Sequence, residues 1–225
     1  IEQLLAEREQ LRMQPLTQVT LAIDAANGTT DRIQVGLAGR TLDAGAVLRG
    51  ALLPGSAHDK FAASLARHLY GDATLQDVTA APDFVFNATN LQTGGLWRFS
   101  RARMGDDGVG QILHPTTPVA TAVAASAAFP PVLSPAVLRA KPGDFAPGAG
   151  GPYAGDEFRR RILLADGGVY DNLGLETALT DYRTLLVSDA GMRPSAEPTV
   201  GKDPVRQTVR VLEVADAQVR ALRKR

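Results

Sequence analysis

Cysteine is absent from the 225 residues. That excludes a disulfide framework, a thiolate metal site and a cysteine nucleophile, and it suits a cytosolic or a periplasmic setting equally well. Net charge is lacking too, with 24 Lys and Arg against 24 Asp and Glu. Aromatic residues reach only 5% and no basic patch is interleaved with them, so nothing points to a nucleic-acid partner. Histidine is scarce and scattered at His58, His68 and His114. The first two are too far apart for an i,i+4 metal pair, so no zinc site is expected. No EF-hand-like oxygen spacing suggests calcium, and the reading includes no cofactor. A phosphate-binding GxxxxGK loop is missing as well, so the Gly/Pro-rich stretch Lys141–Glu157 (KPGDFAPGAGGPYAGDE) reads as a surface loop or mobile flap.

Long apolar runs are nearly absent. Pro115–Leu138 carries no charge, but Pro118, Pro130, Pro131 and Pro135 interrupt it, which is too broken for a membrane span. It reads instead as a buried helix over Val119–Ala128, its alanines allowing close approach to a neighbour and its body lying under the floor of a site. No secretory signal is read in the opening IEQLLAEREQLR. The missing initial Met and the helical pattern still running at Arg225 lead to the expectation of a single domain truncated at both ends.

What is present suits an ordinary globular core, with 44% apolar residues. Ile1–Met13 is patterned as an amphipathic helix. Leu16–Ile23 and Arg32–Ala38 read as strands joined through Asn27-Gly28. Two helices are expected between Thr41 and Gly71, the second over Ala57–Tyr70 with His58, Lys60 and Arg67 outward. Phe84–Asn90 and Leu96–Arg101 form a hairpin whose Phe84, Phe86, Trp97 and Phe99 are core. Met104–Gly110 reads as a loop with Asp106 and Asp107 solvated. A short helix is expected over Leu173–Thr180, a buried strand over Thr184–Val187 and a long amphipathic helix over Val205–Arg225. Strands alternating with helices give an α/β, three-layer architecture.

One stretch organises the rest. Ile162-Leu163-Leu164-Ala165 has the make-up of a buried strand and stops at Asp166-Gly167-Gly168. A carboxylate leaving a central strand sits where α/β sheets place reactive groups. Gly167 and Gly168 let the backbone turn tightly and leave room beside Asp166 for another chain or a substrate. Asp171 and Asn172 are close enough to tune Asp166 or to cap the next helix.

Three blocks, FNATNLQTG (Phe86–Gly94), ATAVAASAAFPPV (Ala120–Val132) and ADGGVYDNLGLE (Ala165–Glu176), together resemble the patatin-like phospholipase family. VSDAG and the terminal RVLEVADAQVRALRKR resemble its bacterial branch. The likeness covers residues 75 to 225 well and the first 70 loosely. It implies a three-layer α/β/α patatin-like fold, incomplete here, with a central mostly parallel sheet flanked by helices. It also implies a lipid acyl hydrolase using a Ser-Asp dyad, with Asp166 as the base and Gly167 and Gly168 completing its motif. The partners implied are a lipid substrate and, as an open alternative, a membrane surface, with a cytoplasmic or peripheral-membrane location. The chain departs from that pattern in having no GxSxG elbow and no N-terminal oxyanion loop. The nucleophile is therefore expected outside these residues, and the chain alone is expected to be inactive.

Among the serines present, Ser126 reads as a small structural residue, Ser56 as a helix cap and Ser188 as a turn or cap at a strand end. The basic end of the last helix, Arg220, Arg223, Lys224 and Arg225, reads as a solvated terminus against the helix dipole, with an anionic lipid surface as the alternative. A second functional reading is a catalytically inactive lipid-binding or interaction module that kept the fold.

Overall fold

The computed structural model describes residues 18–24, 30–36, 56–130, 133–179, 181–189, 196, 198 and 203–224. The chain divides into two compact units, Ile1–Arg49 and Gly50–Arg225. In the first, the β-prone segment VTLAI lies within β1 (Gln18–Asp24), which pairs antiparallel with β2 (Thr30–Gly36), in register from Gln18↔Gly36 to Asp24↔Thr30. The turn at Asn27-Gly28, the helix expected over Ile1–Met13 and the first of the two helices expected after Thr41 lie outside the described residues.

The second unit is built on a six-stranded sheet. Its strands are β3 (Phe86–Asn90), β4 (Leu96–Phe99), β5 (Arg103–Asp106), β6 (Gly110–Leu113), β7 (Ala136–Arg139) and β8 (Arg161–Asp166). Their spatial order is β6-β5-β4-β3-β8-β7. Each of the five pairings is antiparallel, which corrects the expectation of a mostly parallel sheet for the described strands. For β3 to β6 the reason is chain length. The connections 91–95, 100–102 and 107–109 are far shorter than the dozen or so residues a parallel crossover needs.

Alternation sets the faces. Trp97 and Phe99, two apart on β4, are wholly buried with ring centroids 6.2 Å apart, and Phe86 packs against their cluster. Ile162 and Leu164 of β8 join the same core. Over it lies α2 (Val119–Ser126), which packs on β3 and β8. Its Ala122 and Ala125 face the sheet cluster, while Ala120 and Ala124 meet Leu65 of α1 (Ser56–Leu65). An alanine helix is thin enough to be buried on two sides, as its composition suggested. α1 continues as a wider π-helical turn over Ala66–Tyr70. Lys60 and Arg67 are exposed as expected, whereas His58 is buried, so burial lowers its pKa. A helix packed against a second helix takes up more of its circumference than the sequence stripe marked.

Other expectations give way. Residues 103–113 form the hairpin β5–β6 rather than a loop. Its turn is pinned by Asp106, which is buried, not solvated: its carboxylate accepts from Val109 N (2.6 Å), Asn90 Nδ2 (2.8 Å) and Thr93 Oγ1 (3.1 Å). Asp106→Ala strands a buried amide and a backbone N–H, and is expected to cost about 2–4 kcal/mol, read as a lowered urea midpoint with unchanged slope. The Lys141–Glu157 stretch, by contrast, is a largely exposed surface loop as read, tied down from one neighbour. The guanidinium of Arg159, the last residue of the one-turn helix α3 (Asp156–Arg159), donates to the carbonyls of Val109 and Ala149 and stacks 4.6 Å from the Phe145 ring centroid. Thr184–Val187 is not a strand and Leu186 is fully exposed. Of the helix expected over Leu173–Thr180, the described residues 173–179 make separate turns, with Ala178 N and Leu179 N donating to Leu175 O, rather than a regular helix.

No helix among the described residues is long and apolar enough to cross a membrane.

Candidate functional site

Asp166 ends β8, an interior strand one in from the β7 edge, opposite Ala88 of β3. Just beyond it the chain turns into the one-turn helix α4 (Gly168–Asp171). Two neighbours hold the corner. From α2, the carbonyls of Ala128 and Ser126 accept the N–H groups of Asp166 (2.9 Å) and Gly167 (3.1 Å). The buried alanine helix thus forms the floor beneath the turn, and Ser126 contributes through its backbone. From β3, the Thr89 hydroxyl donates to Asp166 O (2.7 Å) and accepts from Tyr170 N (3.1 Å), stapling the end of the strand to the start of the helix.

The glycines are required for different reasons. Gly167 has φ −61° and ψ −29°, open to any residue. Its constraint is space, since a Cβ there would lie 2.3 Å from the Asn87 carbonyl oxygen on β3. Gly168 would meet only side-chain ends, Asn172 Oδ1 at 2.9 Å and Asp166 Oδ1 at 3.0 Å. Its N–H donates to Asp166 Oδ1 at 2.7 Å. Oδ2 carries no hydrogen bond among the described residues, which leaves one oxygen fixed and one open. Burial raises the Asp166 pKa above the ordinary carboxylate value, and the Gly168 N–H only partly opposes it. A half-buried carboxylate with one oxygen anchored has the geometry and the basicity of a general base.

Several residues of this site were not singled out from the sequence. Thr89 and Asn87 belong to the block FNATN, quoted for its resemblance without a role. Asn87 Oδ1 accepts from Thr177 Oγ1 at 3.0 Å, tying β3 to the segment after α4. Asp171, considered as a tuning or helix-capping group, has no regular helix directly after it to cap; its Oδ2 holds the following turn, accepting from Glu176 N at 2.7 Å. Its Oδ1 lies 2.8 Å from Arg223 Nη1 of α5 (Pro204–Arg223), an ion pair whose alignment falls short of a hydrogen bond.

Arg225 lies outside the described residues and Lys224 is exposed, but Arg220 and Arg223 at the basic end of α5 are engaged in ion pairs rather than solvated. Arg220 is buried and pairs with Asp189 (3.0 Å) and Asp216 (2.8 Å), and Lys224 also reaches Asp189. Asn172 donates to Asp216 at 2.9 Å. Ser188-Asp189, expected at a strand end, instead lies in irregular chain where Asp189 serves as the counter-ion of this helix. Ser56 lies among residues whose side chains are outside the description. His68 and His114 are exposed.

A family model described as Patatin-like phospholipase matches residues 18–179. The match takes in the first hairpin as well as the FNATN, alanine-helix and Asp-Gly-Gly blocks, and it stops short of VSDAG and α5. No curated protein and no solved structure matches the chain.

Proposed function

The chain belongs to the patatin-like phospholipase family, and from that membership we propose that the complete protein hydrolyses acyl esters of phospholipids or related lipids, with Asp166 as the base of a Ser-Asp dyad. The family supports a lipid acyl hydrolase; the dyad rests on the Asp166 corner. One observation carries it: a half-buried carboxylate of raised pKa, anchored at Oδ1 by Gly168 N–H and open at Oδ2.

The chemistry follows from that geometry. A serine hydroxyl is a poor nucleophile at neutral pH and needs a base within hydrogen-bond reach. Asp166 Oδ2 takes the hydroxyl proton as the serine oxygen adds to the ester carbonyl. Backbone N–H donors stabilise the oxyanion, a contribution of about 3–4 kcal/mol per donor. Collapse expels the alcohol, which receives the proton from Asp166, and water then releases the acyl group by the same steps in reverse. Since these residues contain no GxSxG, the serine and the oxyanion loop are supplied from outside them in this reading. The match at 18–179 runs through both compact units, which supports treating the chain as part of one patatin-like domain.

The missing elbow equally favours a second reading, a lipid-binding relative without a nucleophile. Labelling of the complete protein by a serine-directed fluorophosphonate separates the two. Stoichiometric labelling with loss of esterase activity is expected; a protein that takes up no label and turns over no ester is the binding module.

A further inference from the structure

The strongest unexplained feature near Asp166 is the ion network at the end of α5. Asp171 is the last residue of α4, the turn whose first N–H anchors Asp166 Oδ1. Its side chain is fully buried, and its N–H closes the same turn onto Gly167 O at 2.9 Å. A buried carboxylate needs both its hydrogen bonds and a cation. Glu176 N supplies the former and Arg223 the latter. The same guanidinium donates to Tyr170 O at 3.5 Å and lies 3.7 Å from Glu176 Oε2, while Tyr170 OH donates to Glu176 Oε1 at 3.1 Å. Arg223 therefore grips α4 at a backbone carbonyl and a carboxylate, and touches the chain leaving it at a third point. Asn172–Asp216 and Arg220–Asp189 brace α5 beside it.

We propose that Arg223 is a positioning residue: through its pair with the buried Asp171 it locks α4, and with it the Gly168 N–H that orients Asp166. This rests on Asp166 being the base. The guanidinium touches no reacting atom; it fixes the direction in which the carboxylate oxygen points. A planar fork can hold carboxylate and carbonyl together in a way that lysine, a point charge, does not reproduce.

The test is steady-state hydrolysis of a p-nitrophenyl fatty ester by the complete protein, with active sites titrated by fluorophosphonate so that rates refer to folded enzyme. Arg223→Gln is expected to lower kcat about 10–100-fold, the effect of a misplacement on the order of 1 Å, and to shift KM less than about two-fold. Arg223→Lys should recover only part of the loss. Arg160→Gln, which breaks an exposed ion pair with Asp156 remote from the network, and Leu75→Ala, which only weakens the core, should leave kcat per site unchanged. If Arg223→Gln does not fold, the Asp171→Asn/Arg223→Gln double variant, with no buried charge left unpaired, carries the measurement with the same expectation. A kcat within about two-fold of wild type in the folded variant overturns the proposal, provided Asp166→Asn is inactive. An active Asp166→Asn overturns the reading beneath it instead.

Discussion

Asp166→Asn in the complete protein lowers kcat by about 10²–10⁴-fold, the usual worth of a positioned general base, and at the same time makes the fold more stable near neutral pH. The two effects have one cause. Burial raises the Asp166 pKa in the native state, so native protein holds its proton at pH values where the unfolded chain has released it. In that window the native state binds more protons, and stability falls as pH rises from the ordinary carboxylate value through the raised one. Activity moves the other way, since the base works only when ionised. The acidic limb of kcat against pH should therefore lie above the ordinary carboxylate range, over the same interval in which the wild-type melting temperature declines. Asparagine removes both dependences: the melting temperature loses that slope and the neutral-pH value rises. Full activity in Asp166→Asn would exclude Asp166 as the base, and a melting profile parallel to wild type across this interval would show that its native pKa is not raised.

Gly167→Ala produces the second large effect although it adds a single methyl group. The added carbon would sit 2.3 Å from the Asn87 carbonyl oxygen and 2.8 Å from its carbon, both on the backbone of a central strand. A side-chain tip can swing aside; β3 is bonded to β4 on one edge and β8 on the other. The corner must move instead, carrying Asp166. Overpacking of this kind costs about 1–3 kcal/mol or more, and displacing the carboxylate should cost on the order of 10²-fold in kcat. Gly168→Ala meets only movable side-chain oxygens and should fall well short of both losses. Equal kcat and equal melting temperatures for Gly167→Ala and wild type would show that the corner has slack the geometry does not suggest.

Much of this corner is legible in the residues themselves. Ile162–Ala165 followed by Asp-Gly-Gly specifies a buried strand ending in a carboxylate, because a short apolar run and two consecutive glycines leave few alternatives. The β3–β4 hairpin and the alanine helix are local patterns, and both form as read. Pairing direction is not local. An apolar run such as Thr184–Val187 looks like a strand, yet it pairs with no strand of the described sheet and Leu186 is left exposed. His58 and Asp106 were misjudged for the same reason, since their burial depends on partners from other elements. Asp171 and Arg223 are ordinary charged residues on separate helices, and nothing in their spacing announces a pair. Gly167 stands between these cases: the sequence marks it as special, and only the nearness of Asn87 shows that room, rather than torsional freedom, is what it provides.

The strand order has a consequence for how the site comes into being. β3 to β6 form a meander of near neighbours, and β7 and β8 form a separate hairpin. The two join along a single seam, Ala88↔Asp166 to Asn90↔Leu164, between residues far apart in the chain. Short loops close cheaply and early, while a long one must wait until enough contacts reward its closure. The β3 side of the Asp166 corner therefore belongs to the pairing of longest sequence separation in this sheet, the kind of contact that loop-closure entropy places late.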